Sequence, residues 1–203
     1  MNPKATIHPN VRLGRNVRIG DHVVIGEPAR GRASGEIETV IGDDAVIRSH
    51  TVIYAGNRIG RGFQTGHHVT IREDNEIGDD VSVGTGTVLE HHLRIENGVR
   101  IHSQAFIPEM TTLRSRCWIG PRVCITNARY PLSANVKNEL LGADVGEDAK
   151  IGANATLLPG IKVGRNALVG AGTVVVKDVP EDSVVVGNPA RVVNTVANLP
   201  YGG

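Results

Sequence analysis

The sequence predicts an all-β chain wound as a triangular prism of parallel strands, and three observations carry the prediction. From Ile41 an apolar residue, or Thr65 once, recurs every six positions through Ile47, Ile53, Ile59, Ile71, Ile77, Val83, Leu89, Ile95, Ile101, Ile107, Leu113 and Ile119 to Ile125, fifteen hexads without a slip. Four residues after each ladder position comes a small or β-branched residue, as in Ala45, Thr51, Val69, Val81, Thr87, Val99, Ala105, Thr111, Cys117 and Val123. Positions i+4 and i+6 therefore face one side of a short strand, because side chains alternate with a period of two. Positions i+2 and i+3 are often Gly, Asp, Asn or Arg, residues that turn chains. A helix needs a 3.6 period and a sandwich needs turns roughly every 8–12 residues, so neither fits a strict six. Three hexads closing a triangle do fit, with triangles of about 18 residues stacked ~4.8 Å apart around an apolar interior.

The elements follow in order. The period is already present at Ile7, Leu13, Ile19 and Ile25, so the coils are expected to begin almost at the first residue, with no nucleotidyltransferase domain before them. From Ile25 to Ile41 the spacing is sixteen, two hexads plus four residues, so EPARGRASGE at 27–36 is a loop thrown out from a corner. It is either a surface insertion or a substrate contact, since loops carry both variation and function. Taking hexads modulo three, those at 53, 71, 89, 107 and 125 stack on one face, and their i+2 corner reads Ala55, Glu73, His91, Glu109, Asn127. The period breaks again between Ile125 and Val145, and a second loop at about 129–142 leaves directly after the His91 column, where Arg129 and Tyr130 can cover that corner. Six hexads resume at Val145, Ile151, Leu157, Val163, Val169 and Val175, with corners rich in Gly and Ala. In GNPARVVNTVANL, Asn188 as N-cap, Pro189 at the first helical position and a stripe of Val192, Val193, Val196 and Leu199 predict a short helix that caps the open end of the prism. The expected organisation is one β-helical domain over 1–187 and a capping helix with a tail over 188–203.

Composition narrows the partners. The 203 residues carry a formal net charge of +1 without a basic run or an aromatic–basic alternation, so nothing points to nucleic acid or a membrane surface. Only 3% of the chain is aromatic and 25 residues are glycine, as a narrow prism lined by aliphatic ladders requires. No apolar run approaches the ~20 residues of a membrane span, and MNPKATIHPN has no apolar signal core. Cys117 falls inward and Cys124 outward, so no disulfide is expected between them, and two free thiols suit a reducing compartment. The expectation is a soluble cytoplasmic protein whose partner is a small molecule or a second copy of itself.

The chemistry concentrates between Thr65 and Thr111, which hold five of the eight histidines. His91 lies one coil from Glu73 on one side and from Glu109 on the other. An imidazole titrates near working pH and can take a proton from a nucleophile, while a stacked carboxylate holds its tautomer and stabilises the imidazolium. The alternative is a merely solvated corner. His67 and His68 occupy a different corner, beneath Thr85 and Gly86, where they are polar surface, face the His91 corner of a neighbouring subunit, or touch the substrate. His102 stands in a column with Gly66, Gly84 and Gly120, and three glycines there imply close approach of a neighbouring subunit or a ligand.

The hexads, together with FQTGHHVTIRE, VSVGTGT, IHSQAFIPE, WIGPRV, TNARYP, IGANATLLPG and VVGNPARV, resemble the hexapeptide-repeat acyltransferase family, and within it the nucleotide-sugar N-acetyltransferases. The resemblance covers nearly the whole chain. It implies a left-handed parallel β-helix, a homotrimer with sites between subunits, acetyl-CoA as co-substrate and no metal. LEHHLRI at 89–95 is similar to the family's IEHE-type segment, whose histidine is the general base. That assigns the base to His91, the oxyanion-binding N–H to Glu109, and leaves His92 where the family has a second acid. Arg72 and Asn127, with His67, His68, Arg129 and Tyr130, are expected on the acceptor. Ala153, Gly170, Ala171, Lys177 and Arg191 fit the family's coenzyme A positions. The implied function is acetyl transfer to the amino group of a nucleotide-linked sugar. O-acetylation and a non-catalytic assembly subunit are the alternatives, and some relatives work without a histidine base. A γ-class carbonic anhydrase shares the fold but needs three converging imidazoles. Two coils beyond His50, His67, His68 and His91 stand Gly86, Ser103, Gln104 and Asn127, so that ligand set is absent.

Overall fold

A computed structural model describes residues 2–200. Most hexads become a strand of two to four residues and a corner, and the strands sort by every third hexad into sheets of nine, eight and ten strands, parallel except for the last strand of the ten. The first sheet runs through Thr6–Ile7, Val24–Glu27, Val52–Tyr54, Thr70–Ile71, Val88–Leu89, Phe106–Ile107, Cys124–Ile125, Thr156–Leu157 and Val174–Val175. Its register pairs Ile53 with Ile71, Ile71 with Leu89 and Leu89 with Ile107, as the modulo-three assignment requires. Inside, ladder residues stack on ladder residues. Ile95 pairs with Ile77 and Leu113 and is 2% exposed, a burial that contributes ~1.5–3 kcal/mol by transfer alone.

Corners turn through the left-handed region at i+3. Asp74, His92 and Met110, stacked in one column, have φ of 57°, 58° and 65°. Asn, Asp and Gly tolerate this conformation because a short polar side chain can bond locally or no Cβ intrudes. The glycine column at i+1 has a different cause from the one expected. A Cβ on Gly66 would lie 2.4 Å from the Thr85 amide nitrogen, and one on Gly84 would lie 2.4 Å from that of Ser103. What approaches is the next coil of the same chain, so these glycines need neither a neighbouring subunit nor a ligand.

The two loops leave where the period breaks, after Glu27 and after Ile125. A register shift between Ile25 and Glu27 marks the first departure. The second loop contains one turn of 3-10 helix at Val136–Asn138, and its carbonyl at Asn127 accepts the Leu141 N–H at 2.9 Å.

The predicted capping helix is not formed. Arg191–Thr195 is a strand, antiparallel to Ser183–Val186, followed by a single 3-10 turn at Val196–Asn198. Val192, Val193 and Thr195 are β-branched and favour extended backbone. Ser183–Val186 pairs on its other side with Leu168–Val169, and without the returning strand its outer edge would be open. The end of the prism is closed by a hairpin instead of a helix.

The three outward faces differ in character. On the first sheet the outward residue just before each ladder position carries no charge, as at Val24, Val52, Thr70, Val88, Phe106 and Cys124. The second sheet mixes signs, with Arg58 beside Glu76 and Arg114 on Asp144. The third sheet presents Arg18, Gln64, Ser82, Arg100, Trp118 and Lys150.

Candidate functional site

The corner between the first and second sheets gathers Arg72, Glu73, Glu90, His91, His92 and Glu109. Coil stacking sets the column, since Ile71, Leu89 and Ile107 are in register and each is followed two residues later by Glu73, His91 and Glu109. From inside, an asparagine pair fixes its shape. The Asn75 side chain accepts the Leu93 N–H at 2.7 Å and donates to the Arg72 carbonyl at 2.8 Å, and Asn57 donates to the same carbonyl at 2.8 Å.

His91 is partly exposed, its Nε2 3.9 Å from Glu109 Oε1. Its Nδ1 lies 3.1 Å from Nδ1 of His92, with the rings edge to face. Two ring nitrogens at that separation share one proton. When His91 Nδ1 carries it and donates to His92, the His91 Nε2 keeps its lone pair and faces outward as a base. His92 thus stands where the resemblance puts an acid, and it can set the tautomer without a negative charge.

Glu73 does not bond to His91. Arg72 takes both of its oxygens, Nε to Oε2 at 2.8 Å and the second guanidinium nitrogen to Oε1 at 3.0 Å. Arg72 also reaches Glu90 at 3.4 Å and lies over the Tyr54 ring, 5.1 Å from its centroid. Burial pushes the Glu73 carboxyl up, but the Arg72 hydrogen bonds and the charges of Arg72 and His91 outweigh it and hold Glu73 below its ordinary value. Arg72 is thereby engaged within the corner by two carboxylates. Glu90, which sequence reasoning overlooked, offers with His91 and Glu109 one ligand atom each, all within 4.8 Å of one another. It was findable as the outward residue 18 positions after Arg72. This is the one group with metal-ligand proximity among the described residues, and it contains a single imidazole, which a three-histidine zinc site does not.

Asn127 continues the column, with Nδ2 3.5 Å from the Glu109 carbonyl, and Arg129 and Tyr130 follow it into the loop as exposed side chains. His67 and His68 lie at the corner between the third and first sheets. His67 Nδ1 is 2.7 Å from Ser49 Oγ, and His68 stacks on His50 at 4.7 Å, which stacks on His22 at 5.0 Å. Within one chain these histidines belong to a different edge from His91.

Of the five residues expected on the cofactor, Gly170 and Ala171 line one groove of about 570 Å³ on the third sheet, with Trp118, Lys150, Gly152 and Leu168. Ala153 follows Gly152 directly. Arg191 pairs with Val186, whose Cγ1 would touch a Cβ at Gly170 at 2.8 Å, so it sits at the groove's end. Lys177 stands in the His91 column instead, two residues after Val175 of the first sheet. The backbone N–H groups of Ala153 and Ala171 meet no acceptor of the chain among the described residues, unlike those of Gly152 and Gly170, which bond to Val169 and Val185. An apolar floor edged with open amide donors fits the amide-bearing arm of coenzyme A. Trp118 and Lys150 were missed because the loop makes their spacing 32 instead of 18.

A three-sided prism of stacked parallel hexads defines the fold class, a parallel β-helix. The fold is a left-handed parallel β-helix, and residues 142–177 match the family model described as bacterial transferase hexapeptide (six repeats). The Bacillus subtilis protein named "Putative acetyltransferase YvoF" is 53% identical over 88 residues, 43% of this chain and 49% of its own length. The galactoside O-acetyltransferase of Lactococcus lactis is 29% identical over 121 residues, 57% of this chain and 53% of that one. The crystal structure of the polySia specific acetyltransferase NeuO superposes with a TM-score of 0.54 at 16% identity, covering 95% of this chain and 87% of that one. The chain spans about half the length of the curated relatives it matches. No helix among the described residues is long and apolar enough to cross a membrane.

Proposed function

We propose that the chain is an acetyl-CoA-dependent acetyltransferase acting on the amino group of a nucleotide-linked sugar. The observation that carries the reading is His91, an accessible imidazole whose Nδ1 is engaged by His92 and whose Nε2 faces Glu109 across 3.9 Å. The relatives matched are named as acetyltransferases, which supports the reaction class. Acetyl-CoA supplies a thioester carbonyl activated toward attack by an amine, and Gly170, Ala171 and Ala153 with Trp118 would hold it. His91 Nε2 takes the proton from the acceptor nitrogen as its C–N bond to the acetyl carbon forms, Glu109 then faces the imidazolium, and the C–S bond breaks to release coenzyme A, whose thiolate sulfur takes that proton. The Glu109 N–H, which meets no acceptor of the chain among the described residues, donates to the oxygen that gains charge. Arg129 and Tyr130 on the second loop, with Asn127, contact the sugar.

His91 and the 570 Å³ groove lie on different edges of one prism, so neither edge alone is a complete site. The uncharged first sheet lies between the His91 corner and the His67 corner. We assign that sheet to contact between three copies, which brings His67 and His68 of one copy toward the acceptor held by another.

His91→Asn preserves polarity and removes the base. In a thiol-release assay over a panel of nucleotide-linked amino sugars, kcat falls about 10²–10⁴-fold, while acetyl-CoA affinity barely changes. Near-normal turnover in the variant removes His91 from the chemistry. The likeness to a galactoside O-acetyltransferase favours a second reading, transfer to a sugar hydroxyl. The same panel with the amine replaced by hydroxyl separates the two.

A further inference from the structure

Arginines on the second sheet are matched by carboxylates, Arg12 and Arg58 with Glu38, Arg94 with Glu96 and Arg114 with Asp144. The third sheet is different. Its outward positions from Arg18 to Val184 include no Asp or Glu. Arg18 and, at the adjoining corner, Arg48 meet no carboxylate within 4.0 Å among the described residues, and both are exposed. They line a groove of about 440 Å³ together with Gly20, Ser49, Gln64 and His67. The one acid of that corner, Asp21, is taken by Lys4 at 2.9 Å and Asn2 at 2.7 Å.

Two guanidinium forks without an ion-pair partner among the described residues, a hydroxyl, a side-chain amide and an imidazole line this groove, and no Asp or Glu is among its lining residues. Planar forks match phosphoryl oxygens two at a time, and phosphate demands more than one positive charge. Along the outward ladder, Gln64, Ser82, Arg100 and Trp118 are successive neighbours, so the groove and the cofactor groove share one sheet, roughly 14 Å apart at ~4.8 Å per strand.

We infer that the Arg18–Arg48 groove binds a diphosphate, that of a nucleoside-diphosphate-linked acceptor. The acceptor assignment rests on the proposed acetyl transfer, whereas the anion site rests on the groove itself. Coenzyme A also carries a diphosphate, and the experiment separates the two sources.

Calorimetric titrations of the full chain use inorganic pyrophosphate, uridine diphosphate and coenzyme A, against wild type and the double variant Arg18→Gln/Arg48→Gln. Pyrophosphate and uridine diphosphate bind wild type, and the double variant weakens both by about tenfold or more, the scale of one lost charge-assisted contact. Coenzyme A affinity stays the same, and Arg94→Gln, a charge removed from the second sheet, leaves all three unchanged. Equal melting temperatures of wild type and double variant show that the fold is intact. Absence of pyrophosphate binding in wild type, or equal binding in the double variant, overturns the site. Loss of coenzyme A affinity with uridine diphosphate unaffected overturns the acceptor assignment. Anion binding that behaves as expected, with no amino sugar acetylated, upholds the groove as a diphosphate site and sinks the acetyl-transfer reading alone.

Discussion

Asn75→Ala tests how the His91 corner is held from inside. Asn75 is 1% exposed and its side chain makes two bonds that matter, accepting from the Leu93 N–H and donating to the Arg72 carbonyl. The two losses are unequal. Leu93 N–H has no second acceptor and becomes an orphaned buried donor, costing ~1–3 kcal/mol. The Arg72 carbonyl keeps Asn57 at 2.8 Å, so only a net bond of ~0.5–1.5 kcal/mol disappears there. The sum, about 1.5–4.5 kcal/mol, lowers Tm by roughly 3–18 °C for a chain of this size. Thermal unfolding followed by circular dichroism reads it directly. Because Leu93 follows His92 and Arg72 precedes Glu73, kcat should drop alongside Tm. A Tm within about 1 °C of wild type would refute the view that this asparagine shapes the corner.

Glu73→Gln should destabilise the fold in a pH-dependent way. Glu73 is held below its ordinary value in the folded chain, so its stabilisation is full above the unfolded value, roughly 4.3, and is lost as pH falls through the lower folded value. The Tm gap between wild type and variant is therefore present at neutral pH and closes below about pH 4; a gap that stays constant contradicts the Arg72 pairing. Deleting Leu132 to Asn138, a segment whose Leu132 is 98% exposed, should raise the acceptor KM far more than the acetyl-CoA KM. Equal effects would argue against a substrate loop. Burial, with the charges of Glu96 and Asp148 adding to it, pushes the Cys117 thiol up to about 12. In native protein a thiol reagent should leave the buried Cys117 untouched until the chain unfolds, and early labelling of Cys117 would show that the interior opens.

The sheets were legible because one position in six must be apolar and three such hexads close one coil, while the left hand came from the family resemblance. The His91 column was legible for the same reason, since positions 18 apart stack. Side-chain reach was not. The hexad places Arg72 outward, yet its guanidinium doubles back to Glu73 and extends forward to Glu90, a choice that local electrostatics makes and periodicity cannot. The segment at 187–199 misled because Val192, Val193, Val196 and Leu199 fit a helical stripe as well as a strand. An open sheet edge decided the matter, and an edge is a property of the assembled prism. The glycine column was visible, but its partner was the next coil, which a linear pattern does not distinguish from a ligand.

A hexad is one third of a turn, and that makes the prism tolerant of some length changes and not others. Removing eighteen residues away from the His91 corner would shorten the prism by one ~4.8 Å layer and leave every face in line. Removing six would rotate everything downstream by a third of a turn. Lys150 and Leu168 would then stand above the second sheet, and the cofactor groove would open on a face that has no diphosphate groove below it. Chains of this build can therefore grow or shrink only in whole layers while keeping each column of outward side chains on the same side.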